Sequence, residues 1–119
     1  GCFQALLFAL LIRVSEQRIH VVHATLGETV ILPCSTNQIN SNVYWRYGEK
    51  TTVCDIIKGE VDFEEQDPVY KDRVESFPLE FAKGNFSIKL IRVKRDFEGI
   101  YTCNFPAKLH PESVKLKIK

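Results

Sequence analysis

The chain has little net charge, no paired-cysteine motif, no glycine-rich phosphate loop and no apolar run long enough to cross a bilayer comfortably. Each absence removes a class of function. A formal charge of +1 over 119 residues leaves no electrostatic footprint for nucleic acid or an acidic membrane surface. The four cysteines, at positions 2, 34, 54 and 103, form no C-x-x-C pair. The three histidines (His20, His23 and His110) do not stand beside them at zinc-ligand spacing, so no metal site is expected. Ser35 and Ser41 have no histidine and acidic partners in a suggestive order. Glu64 and Glu65 are adjacent carboxylates that diverge in a strand or loop and read as a solvated acidic turn. No enzyme and no cofactor are expected. There is also no initiator methionine and no basic start.

What is present is ordinary globular material: 45% hydrophobic and 26% charged residues, enough for one domain and unlike a disordered chain. Residues 2–12 form an almost uncharged apolar run with the length of a signal-peptide core. We read residues 1–17 as the remnant of a signal peptide truncated at its start, with cleavage near Ser15 to Gln17. The other reading of such a run is a buried helix. The domain is expected over residues 18–119, in an oxidising compartment.

From residue 18 the pattern is period two. Val30, Leu32 and Cys34 share one face, as do Val43, Trp45 and Tyr47, which leaves Tyr44 and Arg46 on the other. Turn signals at 48–50 and 58–60 predict a hairpin and a short edge strand near 61–63. Further strands are predicted at 73–77, 86–90, 100–105 and 113–119, with residues 64–68 as a loop, a stop at Pro78 and a corner at 96–99. Eight or nine short strands without a helical period outside the leader make an all-β, two-sheet sandwich.

Cys34, Trp45 and Cys103, with the run Gly99-Ile100-Tyr101-Thr102-Cys103, resemble the core of an immunoglobulin domain. The length between Trp45 and Arg73 resembles the V-set arrangement. The resemblance implies a Cys34–Cys103 disulfide joining the sheets, with Trp45 packed on it and Tyr101 as the corner tyrosine. Closing so long a loop is worth roughly 4 kcal/mol. V-set domains carry an acidic residue four positions before that tyrosine, paired with an arginine. Here the position is Phe97, with Asp96 one residue early, and the partner of Arg73 is left open.

The stretches Asp55-Ile56-Ile57-Lys58-Gly59, Gln66-Asp67-Pro68 with Tyr70, Lys71, Arg73 and Val74, and Lys83-Gly84-Asn85-Phe86-Ser87-Ile88 are similar to butyrophilin-like and T-cell co-signalling ligands, particularly those of fish. The last strand has no Phe-Gly-x-Gly joining motif, unlike a rearranged receptor variable domain. The resemblance implies a glycoprotein at the cell surface or secreted. It would recognise a protein receptor or counter-receptor on another cell, a lymphocyte, and attach to the membrane through a segment beyond Lys119. An innate immune-type receptor ectodomain and a homophilic adhesion domain are the alternatives.

Outward alternation nominates Tyr44, Arg46, Thr102, Asn104, Lys115 and Lys117 as the binding face. Phe105, Lys108 and Leu109 are expected to crown the adjoining loop. Asn85-Phe86-Ser87 is an N-glycosylation sequon on the sheet away from that face. Cys54 is read either as a small buried hydrophobe or, once Cys2 leaves with the leader, as an intermolecular disulfide in a homodimer.

Overall fold

The computed structural model describes residues 19–38 and 40–119. The leader reading of residues 1–17, Cys2 included, lies outside them. Nine strands form among the described residues. The first five are β1 (Ile19–Ala24), β2 (Val30–Leu32), β3 (Val43–Tyr47), β4 (Thr51–Ile57) and β5 (Glu60–Asp62). They are followed by β6 (Val74–Ser76), β7 (Ile88–Leu90), β8 (Gly99–Asn104) and β9 (Glu112–Ile118). A six-stranded sheet in the order β1-β9-β8-β3-β4-β5 packs on a three-stranded sheet in the order β2-β7-β6. Every pairing is antiparallel except β1 with β9.

Alternation decides which side chains meet between the sheets. Val30 and Leu32 of β2, Val43 and Trp45 of β3, Ile88 and Leu90 of β7, and Val114, Leu116 and Ile118 of β9 are all buried. They are apolar at every second position, so one face of each strand leaves water together. Strand β4 breaks the rhythm. Its register with β3 shifts between Trp45 and Arg46, so Trp45 faces Cys54 while Arg46 faces Thr52, and Val53 is the extra residue of a bulge. Val53 and Cys54 are therefore both buried although they are neighbours.

The sheets are joined at one place by a covalent bond and a short web of hydrogen bonds. Cys34 and Cys103 are disulfide-linked, with Cα atoms 6.4 Å apart. Trp45 packs among the same core residues, fully buried, and its Nε1–H donates to the carbonyl of Phe86 at 2.9 Å. The Phe86 N–H in turn donates to the carbonyl of Cys34 at 2.8 Å. A buried indole needs such an acceptor, because an unsatisfied donor at that depth costs about 1–3 kcal/mol.

The corner at the start of β8 is built from aromatic rings. Tyr101 donates its hydroxyl hydrogen to the carbonyl of Phe97 at 2.6 Å, and its oxygen lies 3.0 Å from the hydroxyl of Tyr70. Phe97 is fully buried and stacked on Tyr70, with ring centroids 5.0 Å apart. Gly99, at φ +145°, is required here: a Cβ would come within 2.7 Å of the Tyr47 hydroxyl, which donates to the Glu98 carbonyl. Arg73 has no ion pair with Asp96 among the described residues. Its Nη1 donates instead to the carbonyls of Arg92 at 2.7 Å and Ile91 at 3.5 Å. An aromatic stack thus occupies the place where the resemblance led one to expect a carboxylate.

Short 3-10 turns at Pro68–Tyr70, Pro78–Lys83 and Arg95–Phe97 replace what reads as plain loop, stop and corner. Two of them begin on a proline, whose fixed φ suits the first helical position. Phe97→Asp places a carboxylate in this apolar stack. It is expected to lower unfolding free energy by at least about 2 kcal/mol in urea titration. Unchanged stability would mean that Arg73 leaves its carbonyls to pair with the new acid.

Candidate partner-binding face

Because Trp45 and Cys103 point inward and face each other in the β3–β8 ladder, their neighbours point outward in register. Tyr44 stands opposite Asn104, and Arg46 opposite Thr102. The four are half-buried and hold one another. Asn104 Nδ2 donates to the Tyr44 carbonyl and to Thr102 Oγ1, each at 2.9 Å. Arg46 Nη1 donates to Asp55 Oδ1 at 2.6 Å and to its neighbour's carbonyl at 2.9 Å, and its guanidinium carbon lies 5.6 Å from the centre of the Tyr44 ring. The Arg46 and Asp55 side chains are 24% and 13% exposed, so this pair is better shielded than a surface ion pair.

These four residues, with Gly48, Glu49 and Pro111, line an open groove of about 430 Å³ on the six-stranded sheet. The groove is shallow, and the contacts among Tyr44, Arg46, Thr102 and Asn104 hold these side chains before any partner arrives. That lowers the entropy cost of binding.

The other nominated residues divide. Lys115 is exposed on the same face, opposite Val21 on one side and Ile100 on the other. Lys108 is exposed, paired with Glu112 at 2.9 Å, and lies over the ring of Phe105. Leu109 is 89% exposed. Phe105 is a correction: it is 3% exposed and packs edge-on against Phe86, with centroids 6.2 Å apart. The alternation that turns Tyr101 and Cys103 inward runs one residue past the strand and takes Phe105 with it. Phe105 supports the loop from beneath and offers no contact surface.

Cys54 bears out one of its two readings, the small buried hydrophobe, and corrects the other, the intermolecular disulfide. It is free, 0% exposed and set opposite Trp45, so no second chain's thiol can reach it in the folded domain. Burial, and then the Asp55 carboxylate, push its pKa from 9.0 to about 12, against a smaller pull from Arg46. It is a small neutral hydrophobe, and an intermolecular disulfide through it is excluded.

The charge pattern across the face was missed in the sequence. His23, Lys115 and Lys117 lie towards one edge, and Asp55, Asp62 and Glu60 towards the other. Finding it requires the bulge at Val53, which sets the parity of Asp55 and has no composition signal. Asn85 lies just before β7 on the three-stranded sheet, away from the groove. No cluster of His, Cys, Asp or Glu among the described residues could hold a metal ion.

The sequence profile of the Immunoglobulin V-set domain matches residues 17–118. The chain is 38% identical over 84 residues to a CD276 antigen homolog of Xenopus laevis, covering 66% of this chain and 27% of that protein. It thus spans about a quarter of that relative's length. The human B7-H4 IgV-like domain superposes with a TM-score of 0.70 at 21% identity, over 81% of this chain and 90% of that one. Bovine butyrophilin superposes with a TM-score of 0.64 at 26% identity, over 87% and 51%.

In a Cys2→Ser background, Cys54 is expected to react with a maleimide only after unfolding; rapid native labelling would contradict its burial. The unfolded thiol ionises above pH 9 while the folded one stays protonated to about 12. The unfolded chain then binds fewer protons, and stability falls as pH rises through that window. Burial raises Tyr70 and Tyr101 too, with the same sign at higher pH. The urea midpoint should be flat to about pH 8.5 and then fall, less steeply in Cys54→Ala. A flat profile to pH 11 is the opposing result.

Proposed function

Because the chain belongs to the immunoglobulin V-set family, we propose that it is the recognition domain of a cell-surface immune protein of the butyrophilin-like, co-signalling ligand type. The family is one of binding modules, so the domain recognises rather than catalyses. Its partner is a protein receptor or counter-receptor on a lymphocyte, met through the outer face of the six-stranded sheet, and the outcome is modulation of a T-cell response. In this reading residues 1–17 are leader, residues 18–119 are the domain, and the molecule works at the external face of the plasma membrane or as a secreted form.

The observation that carries the reading is the pinned groove of Tyr44, Arg46, Thr102 and Asn104. Tyrosine and arginine are the residue types that concentrate binding energy, since each buries large area and still offers hydrogen bonds. The simpler alternative is that Tyr44 only covers the sheet and the lysines only solvate a strand. Fluorescent multimers of the domain separate the two. Tyr44→Ala and Arg46→Ala are expected to reduce lymphocyte staining roughly tenfold or more. Lys89→Ala, on the three-stranded sheet, is expected to leave it unchanged. Equal staining by all three, with each variant folded by circular dichroism, overturns the reading.

A second reading, homophilic adhesion, draws on the charge pattern. A face basic at one edge and acidic at the other can meet a copy of itself in a two-fold arrangement. Self-association in the ultracentrifuge that Arg46→Ala abolishes would favour it over the ligand reading. A strictly monomeric domain that stains lymphocytes would oppose it.

A further inference from the structure

The sequon is woven into the disulfide. The Cys34 N–H donates to Ser87 Oγ at 3.0 Å, and the Ser87 hydroxyl donates to Asn85 Oδ1 at 2.7 Å. The Ser87 N–H also reaches Asn85 Oδ1, at 3.2 Å. Ser87 is 8% exposed, and Phe86 between the two is fully buried, its N–H on the Cys34 carbonyl and its carbonyl on the Trp45 indole. The chain just before is clamped as well. Thr36 N–H donates to the Gly84 carbonyl at 2.8 Å, and Asn85 N–H donates to the Glu80 carbonyl at 3.2 Å. The Thr36 carbonyl lies so near Gly84 that a side chain there would overlap it. Asn85 itself is half-buried, and its Nδ2 makes no hydrogen bond among the described residues.

A transferase that demands a hydroxyl two residues after the asparagine must read that hydroxyl. Here its single hydrogen is given to Asn85 and its oxygen accepts from Cys34, inside the core. Presenting Asn85, Phe86 and Ser87 in an extended, accessible form means pulling Phe86 out of the core and breaking the bonds to Cys34 and Trp45. That is the unfolding of the seam between the sheets.

We propose that Asn85 is an N-glycan acceptor only in the chain that has not yet folded around Cys34–Cys103, and that closure of this seam fixes the occupancy of the site. In the transfer, Asn85 Nδ2 forms a bond to the anomeric carbon of a lipid-pyrophosphate-linked oligosaccharide. The bond from that carbon to the pyrophosphate oxygen breaks, the lipid pyrophosphate leaves, and one amide proton is released. The folded domain accommodates the product, because Nδ2 has no bond to lose and lies away from the groove. The inference depends on passage through the secretory route, not on which partner the groove binds.

The test uses the unglycosylated 119-residue chain with its disulfide intact, beside the same chain reduced and alkylated. Each is incubated with purified oligosaccharyltransferase and its lipid-linked oligosaccharide, and a peptide spanning residues 82–90 serves as the positive control. The reduced chain should be modified at Asn85 at about the rate of the peptide, and the folded chain at least tenfold more slowly. Rates for folded and reduced chains within threefold of each other would overturn the ordering. A reduced chain left unmodified while the peptide reacts would overturn Asn85 as an acceptor.

Discussion

The seam at Cys34 is the constraint on which the rest of the domain depends. The three-stranded sheet is built from strands of three residues each, too short and too few to stand alone. It is tied to the larger sheet by the disulfide and by the bonds that link Cys34, Phe86, Ser87 and Trp45. The disulfide spans 69 positions, and closing such a loop removes about 4 kcal/mol of freedom from the unfolded chain. The hydrogen bonds matter differently: they leave no buried side-chain polar atom unsatisfied among the described residues.

The seam also sets the direction of everything on the surface. Trp45 and Cys103 are opposite each other and face inward, so Tyr44, Arg46, Thr102 and Asn104 have no choice but to face out. A one-residue slip would exchange the two sets and bury an arginine. The proposed binding face is therefore a by-product of core parity, and its rigidity is inherited from the same ladder.

Much of this was legible from the chain. Alternation at Val30, Leu32 and Cys34, at Val43 and Trp45, and along β9 locates the sheets, because period two survives wherever one face is buried. The tyrosine at position 101 and the glycine two before it place the corner. Two features escaped, each because a non-local contact overrides a local signal. Phe105 ends the strand predicted over 100–105 yet reads as part of the loop crown beside Pro106; it keeps the strand's inward parity and packs on Phe86. Phe97 looks like a defect in an ion pair, and only its stack on Tyr70 reveals that the corner is held by rings. The acidic edge of the face escaped with the bulge at Val53, since Asp55 takes its direction from it.

The central claim is that the outer face of the six-stranded sheet is the working surface, and a second glycan tests it most directly. The double substitution Lys115→Asn, Lys117→Thr writes a sequon around the buried Leu116, on that face. Lymphocyte staining by the doubly substituted domain is measured before and after enzymatic trimming of its glycans. The account predicts that staining is lost while the new glycan is present and returns when it is trimmed. Staining that persists with the glycan in place would contradict it.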